Sequence, residues 1–285
     1  MTNENPLEHV SLAQYAQDLR SGKRSVEATV DQYLKRISEL NPKLDAITEL
    51  DTVRALAAAR GIDCLIAAGQ DLGPLAGVPI LVKDLFKIHG MKTTAGSRMN
   101  VDDLAPKEEG RFIQALRRAG CIILGKTRTT EFAMGGFNLT HPLPWNPVDM
   151  DVKRMTGGSS HGSAVAMAAG LCAFSVGSDT GGSVRQPAPF TGTVGYKSHR
   201  HYWPTDGVFP MSPSLDSVGI LQIRQKMPPG SINTYFLAIA ATALNIMWHY
   251  QAYDLGYRRI IFSTTATPRP SQRFSKQPSC WSRPG

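Results

Sequence analysis

The stretch GGSSHGSAVAMAAGLCAFSVGSDTGGS, residues 157–183, alternates between glycine-rich and apolar segments. A Gly/Ser-rich loop comes first, and the small residues after it predict a helix that runs to about Ala169. The apolar run Leu171–Gly177 predicts a buried strand, and a second glycine-rich loop, Asp179–Ser183, follows it. A helix that leads into an apolar strand is typical of α/β proteins, in which loops at strand ends form the functional site.

The same alternation of helices and strands extends upstream of this stretch. Gly73–Asp84 predicts a turn that leads into a strand, and Cys121–Lys126 predicts a second buried strand. Ser25 is a predicted N-cap of a helix that ends at Asn41-Pro42. Further helices are predicted at Ser11–Leu19, Thr52–Ala68, Gly110–Ala119 and near Thr130. These elements predict an α/β fold class.

The positive charge of the chain is concentrated towards its C-terminal end. The 285 residues carry a formal net charge of +8, but residues 224–285 contain eight Lys/Arg against one acidic residue, Asp254. Residues 1–223 are therefore close to neutral, which argues against nucleic acid as a partner. The apolar run Tyr235–Trp248 is too short for a membrane span, so we expect a core-type helix there and no membrane partner.

Two features of the sequence predict a cytoplasmic location. The first ten residues lack the basic start and the apolar run of a secretory signal. The four cysteines form no CxxC pair, which is typical of reduced thiols in a cytosolic protein.

Several motifs that would indicate another enzyme class are rejected. GCIILGKT, residues Gly120–Thr127, has the spacing of a phosphate-binding P-loop, but its Cys-Ile-Ile-Leu centre predicts a strand that uses its N–H groups in a sheet. The seven histidines include no HExxH motif and no Cys/His cluster, and the chain has no GxSxG nucleophile elbow. We therefore expect no cofactor and no metal.

Ser183, Lys83 and the Gly-Gly-Ser-Ser loop (residues 157–160) remain as candidates for chemistry. Two glycines before Ser183 let the backbone turn tightly, so that successive N–H groups can point at an oxyanion. Lys83 ends an apolar strand, where burial would favour its neutral form and let it act as a base. The alternatives are a solvated lysine at a strand end and an ordinary turn with an N-cap.

Together these segments resemble the amidase signature family. Gly157–Pro187 is similar to the family's diagnostic segment, and Gly73–Ser97 is similar to its lysine segment. GCIILGKTRTTEFAMGG is similar to the strand and substrate loop that follow in the family. The resemblance extends over about residues 7–223 and implies a mixed β-sheet core flanked by helices.

The resemblance also implies a role for each candidate residue. Ser183 would be the nucleophile, Lys83 the base, and Ser159, which follows a cis peptide bond in the family, the proton relay. Oxyanion and substrate binding would fall to Met134, Gly135, Thr180, Gly181, Gly182 and the Ser183 amide. The implied reaction is hydrolysis of a linear small-molecule amide through an acyl-enzyme. Assembly of the chain into a homodimer is left open.

The chain departs from the family in two ways. His161 stands where the family's loop has a small residue, and its ring is expected to narrow the leaving-group side of the site. The second departure is that the family pattern stops near residue 223. The expected amidase signature domain therefore covers residues 1–223, with N-terminal helices over 7–70 and a catalytic core over 71–223. Residues 224–285 predict a divergent, partly disordered basic tail, and their loss of acidic residues predicts a C-terminal truncation or frameshift.

Two other functions stay open beside that of an amidase. A glutaminase-type A subunit of a tRNA-dependent amidotransferase would carry the same motifs and would require partner subunits. A truncated, catalytically silent family member would contain the same three residues in an incomplete fold. The sequence does not identify the amide substrate.

Overall fold

A computed structural model describes residues 5–7, 10–137 and 141–223 of the chain. The helices are α1 (Leu12–Arg20), α2 (Val26–Leu44), α3 (Thr52–Ala67), α4 (Arg111–Arg118), α5 (His161–Ala168) and α6 (Pro187–Thr191). The strands are β1 (Ile47–Leu50), β2 (Pro79–Lys83), β3 (Ile122–Thr127), β4 (Phe174–Ser178), β5 (Thr193–Lys197) and β6 (Val218–Ile223). No helix in the described ranges combines the length and apolar character that a bilayer span requires. The helix predicted at Tyr235–Trp248 and the predicted tail lie outside the described residues.

One mixed sheet organises the described residues, with the strand order β1-β3-β2-β4-β6-β5. The three neighbours β3, β2 and β4 are parallel, whereas β1 and β6 run antiparallel to the strands beside them. Every residue of β2, β3 and β4 is buried, as is typical of parallel strands that are covered on both faces. The predicted α/β class with a mixed sheet is confirmed. The carboxyl ends of β2 and β4 therefore meet at one edge of the sheet, where sites form in this class.

The predicted start of α2 is confirmed, but its predicted end is wrong. The Ser25 hydroxyl accepts a hydrogen bond from a backbone amide of the first turn at 3.1 Å, as an N-cap does. The helix continues past Pro42 and ends at Leu44. The side chain of Asn41 accepts hydrogen bonds from the amides of Ala46 and Ile47, which lie beyond the helix. These bonds stabilise the end of the helix, which therefore lies beyond the proline.

Strand β4 begins three residues later than the apolar run predicts, at Phe174. Gly170 has a φ of +65° and reverses the chain after α5. The Leu171 amide still bonds back to the carbonyl of Ala166 at 2.8 Å, so the first apolar residues belong to the helix end.

The helix predicted near Thr130 is only a 3₁₀ turn, Glu131–Ala133. The Thr130 amide donates to the carbonyl of Ser159 at 3.2 Å, and Phe132 has a left-handed backbone with a φ of 51°. The segment is therefore a loop that is tied to the Gly-Gly-Ser-Ser loop.

Helix α5 is buried along nearly its whole length because its residues are small. A Cβ atom on Gly162 would lie 2.5 Å from the carbonyl oxygen of Ala46, so no larger residue fits there. The buried hydroxyl of Ser163 is satisfied by the Thr127 hydroxyl at 2.6 Å and by the Val176 carbonyl at 3.1 Å. These contacts fix the start of α5 against the central strands.

Candidate active site

The candidate site forms where β2 and β4 end side by side. Lys83 is the last residue of β2 and Ser178 is the last residue of β4, and the two strands are parallel neighbours. The Lys83 amine, Nζ, donates a hydrogen bond to Ser178 Oγ at 2.9 Å. Both side chains are buried, so the alternative of a solvated strand-end lysine is wrong.

Ser159 is the second partner of the buried amine. Lys83 Nζ donates to Ser159 Oγ at 2.7 Å, and Ser159 follows a cis peptide bond from Gly158. A Cβ atom on Gly158 would lie 2.9 Å from the carbonyl oxygen of Gly136, so the Gly-Gly-Ser-Ser loop packs tightly on the 129–137 segment. Ser160 at the N-cap of α5 makes no side-chain cap bond, so the alternative of a simple capping turn is wrong.

The environment of Lys83 favours its neutral form. Burial lowers the pKa of the Lys83 ammonium group to about 7, although the negative charges of Asp179 and Asp216 oppose this shift. An amine with this pKa is neutral in a large fraction of molecules near neutral pH. The pair of Lys83 and Ser159 therefore has the geometry and the protonation state for taking up a proton.

Ser183 lies beside this pair on the loop that follows β4. It is half-buried, and its carbonyl accepts a hydrogen bond from the Ser160 amide at 3.0 Å. Within the described ranges no hydrogen bond joins Ser183 Oγ to Ser159 Oγ. The structure thus brings Lys83 and Ser159 into direct contact and holds Ser183 next to them through the backbone.

Asp179 is a buried carboxylate that shapes the loop carrying Ser183. Its oxygens accept hydrogen bonds from the amides of Gly182 at 2.8 Å and Val184 at 3.1 Å, and from the Arg185 guanidinium at 2.9 Å. Burial alone would raise the pKa of Asp179, but the Arg185 side chain and the Val184 and Arg185 amides hold that pKa below its ordinary value. The loop is therefore organised around a charged carboxylate.

The predicted oxyanion donors differ in what they contact. The Gly182 amide is occupied by Asp179, whereas the Gly181 and Ser183 amides have no protein partner in the part of the chain that the structure describes. The Thr180 hydroxyl donates to the Asp216 carboxylate. An oxyanion role for Thr180, Gly181 and Ser183 remains a prediction, and the same role for Gly182 would require its bond to Asp179 to break.

Met134 and Gly135 lie in the segment that packs on the Gly-Gly-Ser-Ser loop. The Met134 side chain is 66% exposed, and Gly135 has a φ of +75° that suits glycine. A Cβ atom on the next residue, Gly136, would lie 3.3 Å from the side chain of Gln186, just beyond the Ser183 loop. Their predicted part in an acyl pocket remains a prediction.

Three residues of the site were not assigned by sequence reasoning. Ser178 contacts the amine, and Asp179 and Asp216 supply the negative charge that limits the fall of the Lys83 pKa. The position of Ser178 at the end of a predicted strand, parallel to the strand of Lys83, was a usable signal. Asp216 gives no such signal because it reaches the site only through the pairing of β6 with β4.

His161 is fully buried, and its expected effect on the leaving-group side of the site stays a prediction. Among the described residues neither ring nitrogen has a hydrogen-bond partner. Burial, with the nearby charges of Lys83 and Arg128, lowers the pKa of the imidazole to about 3, so the ring is neutral at ordinary pH. It is not part of a metal site either, since the described ranges hold no cluster of three or more His, Cys, Asp or Glu suited to a metal ion.

Comparison with known sequences identifies relatives over most of the described chain. A family model described as Amidase matches residues 28–224. The 2-amino-5-chloromuconic acid deaminase of Comamonas testosteroni is 39% identical over 221 residues, which cover 75% of this chain and 46% of that protein. The A subunit of the glutamyl-tRNA(Gln) amidotransferase of Synechococcus sp. (strain CC9605) is 42% identical over 215 residues, which cover 74% of this chain and 43% of the relative.

Solved structures with the same fold include a crystal structure of an amidase, with a TM-score of 0.71 and 33% identity over 83% of this chain and 52% of that one. The native peptide amidase from Stenotrophomonas maltophilia has a TM-score of 0.68 and 30% identity over 77% of this chain and 46% of that one. The chain thus spans about half the length of the relatives that it matches.

Proposed function

Because the chain belongs to the amidase family, we propose that it hydrolyses the C–N bond of a linear, small-molecule carboxylic amide through an acyl-enzyme on Ser183. The observation that carries this proposal is the fully buried Lys83, whose Nζ lies 2.7 Å from Ser159 Oγ and whose pKa is about 7. A buried amine without a contacting carboxylate is a costly arrangement that a purely structural lysine does not need. The proposed catalytic unit lies within residues 1–223.

In the first step Ser183 Oγ forms a bond to the carbonyl carbon of the amide. Ser159 takes the proton of Ser183 while it passes its own proton to neutral Lys83 Nζ. The negative charge that develops on the carbonyl oxygen is stabilised by backbone N–H groups of the Thr180–Ser183 loop. The amides of Gly181 and Ser183 are the best candidates, because neither is bonded to another described residue.

Collapse of this intermediate breaks the C–N bond. The proton returns from Lys83 through Ser159 to the leaving nitrogen, so the amine departs neutral and Lys83 is again a free base. Water then attacks the acyl-enzyme, and Ser159 and Lys83 take its proton. The proton returns through Ser159 to Ser183 Oγ as the bond between Ser183 and the acyl carbon breaks, and the carboxylic acid is released. The unit therefore needs no cofactor in these steps.

The proposal is tested by a fluorophosphonate probe, which labels activated serines, and by a panel of aliphatic, aryl and amino-acid amides. We expect the wild-type chain to be labelled and to hydrolyse at least one amide, and Ser183→Ala to lose both properties. Ser38→Ala, on an exposed turn of α2, is the matched control and should leave both unchanged. Labelling of Ser183→Ala at the wild-type rate would exclude Ser183 as the nucleophile.

The relatives described as the A subunit of a glutamyl-tRNA(Gln) amidotransferase favour a second candidate function. In that case the chain would be a glutaminase-type A subunit that acts only with partner subunits. Co-purification of stable partners, with amide hydrolysis that depends on them, would support this candidate. A chain that is neither labelled nor active, alone or with partners, would be the catalytically silent family member.

A further inference from the structure

One buried ion pair has no part in the proton transfers proposed above. Lys126 in β3 and Asp84, directly after β2, are both buried, and Lys126 Nζ lies 2.6 Å from Asp84 Oδ1. Lys126 Nζ also donates to the Lys92 carbonyl at 2.8 Å and to Thr93 Oγ1 at 2.9 Å. Each of the three ammonium protons thus has an acceptor, which is the pattern of a cation that stays charged.

Two of these acceptors lie in or next to residues 93–97, TTAGS, which we call the threonine loop. Asp84 contacts the same loop through its other carboxylate oxygen, Oδ2. This oxygen accepts hydrogen bonds from the Thr94 amide, at 3.2 Å, and from the Thr94 hydroxyl. The backbone carbonyl of Asp84 accepts the Ala95 amide at 3.1 Å. Both partners of the ion pair are therefore hydrogen-bonded to the threonine loop.

The threonine loop is bonded in turn to residues 129–137, which we call the pocket loop because it carries Met134 and Gly135. The Ala95 carbonyl accepts the Phe132 amide at 2.8 Å. A Cβ atom on Gly96 would lie 2.6 Å from the carbonyl oxygen of Thr129, so the two loops are in close backbone contact.

The pocket loop reaches the candidate catalytic residues directly. The Thr130 amide donates to the Ser159 carbonyl at 3.2 Å, and Gly136 packs against Gly158. A continuous chain of hydrogen bonds and backbone contacts therefore runs from the ion pair to the loop of Ser159.

We propose that the Asp84–Lys126 ion pair is a positioning device that holds the pocket loop against the Ser159 loop by way of the threonine loop, and that it thereby sets which acyl groups the site accepts. A buried ion pair suits this task because breaking it leaves an unpaired charge in the interior, so the pair stays closed. The part that concerns acyl groups rests on the proposed amidase function. The part that concerns loop position does not.

Hydrogen exchange of the full-length chain, followed by mass spectrometry, tests the loop position. Lys126→Met removes the charge and keeps the length of the side chain. Peptides that cover 93–97 and 129–137 should exchange roughly tenfold or more faster, because a hydrogen bond to a charged group changes a local equilibrium by about that factor. Peptides from α2 should change less than the peptides of the two loops.

The matched control is Lys92→Met, which makes the same substitution at an exposed lysine of the same segment. It should leave both loops unchanged, because only the backbone carbonyl of Lys92 contacts Lys126. The proposal is wrong if both loops of Lys126→Met exchange at the wild-type rate, if only the threonine loop changes, or if all peptides change equally.

A double variant covers the case in which Lys126→Met does not fold. Asp84→Asn/Lys126→Met leaves no unpaired buried charge, while the Lys92 carbonyl and Thr93 still lose their donor. Both loops should again exchange faster than in the wild type. Wild-type exchange in this folded double variant would overturn the proposal.

Acyl selection is tested with two series of amides, one that varies only the acyl group and one that varies only the amine. In the folded variant the ratio of kcat/KM between long and short acyl groups should change several-fold, and the ratio across the amine series should stay constant. Equal changes in both series, or none, would refute the acyl part. If the wild type hydrolyses no amide, the proposed function fails, and the exchange experiment still decides the loop position.

Discussion

Two buried lysines lie on neighbouring parallel strands, and they contact partners of different kinds. Lys83 ends β2, and its amine donates to two serine hydroxyls. Lys126 in β3 lies opposite Val82 in the register, and its amine contacts the carboxylate of Asp84. The two side chains are equally buried, so burial alone does not distinguish them.

The difference in partners decides what each lysine can do. Burial lowers the pKa of Lys126 as well, but the adjacent carboxylate of Asp84 opposes that shift by direct contact. At Lys83 the opposing charges of Asp179 and Asp216 act without a hydrogen bond to the amine, and its pKa falls to about 7. One buried lysine is therefore suited to proton transfer, and its neighbour is suited to holding loops in place.

Of the two lysines, Lys83 is expected to have the larger effect on turnover, which Lys83→Met measures. Loss of the base should reduce turnover by roughly 10²–10⁴-fold, which is the usual contribution of a positioned base. The free energy of unfolding near pH 7 should not fall, because methionine has a similar length and removes the cost of burying the amine. Steady-state kinetics and urea unfolding measure the two effects, with Lys92→Met as control. Turnover within tenfold of the wild type would remove Lys83 from the mechanism.

The largest effect on stability is expected from Lys126→Met. Removing one partner of a buried ion pair should cost about 3–5 kcal/mol of unfolding free energy, since Asp84 is left buried and unpaired. The double variant Asp84→Asn/Lys126→Met should recover part of this loss. Urea unfolding of the single and double variants gives the comparison, and a single variant as stable as Lys83→Met would contradict the assigned difference between the two lysines.

The pH dependence of the unfolding free energy tests whether Lys83, unlike Lys126, is neutral in the folded chain. The pKa of Lys83 is about 7 in the folded chain, against 10.5 for a freely exposed lysine, so the unfolded chain binds one more proton between these values. Stability should therefore rise with pH from about 7 towards about 10.5, with a slope of at most about 1.4 kcal/mol per pH unit. Unfolding of wild type and Lys83→Met across this range should give curves of different slope, with the wild type gaining stability relative to the variant as pH rises. Parallel curves would show that Lys83 stays charged in the fold.

The smallest effect is expected from Ser178→Ala. The amine keeps Ser159 as a partner and loses one acceptor, so the ammonium form is less well stabilised and the pKa of Lys83 should fall further. The pH–rate profile should move to lower pH, and turnover should fall several-fold to roughly tenfold because the amine is less firmly held. A profile that moves to higher pH would mean that Ser178 does not act as an acceptor for Lys83.

Local sequence patterns predicted the central elements of the fold but not the loops between them. Cys121–Lys126 was correctly predicted as a strand from its apolar run, and the same pattern correctly rejected a P-loop. The helix near Thr130 was wrong because its first amide bonds to Ser159, a partner far along the chain. A window of local sequence contains no information about such a partner.

The residues of the candidate site likewise include some that the sequence predicted and some that it did not. The resemblance to the amidase signature family implied that Lys83 and Ser159 are partners, and the two side chains are in contact. Ser178 was missed, and the Gly182 amide was expected to be free, because the bonds of both depend on how side chains from separate segments meet.

The sequence by itself determined the α/β class and the family and predicted three candidate catalytic residues, because these depend on residue types in a fixed order along the chain. Only the tertiary structure decided that Lys83 is buried and Lys126 is paired, that His161 lies inside the protein, and that Asp179 organises the loop of Ser183. The physical reason is that the pKa of a side chain and the position of a loop depend on every element packed around them, and those elements come from distant parts of the chain.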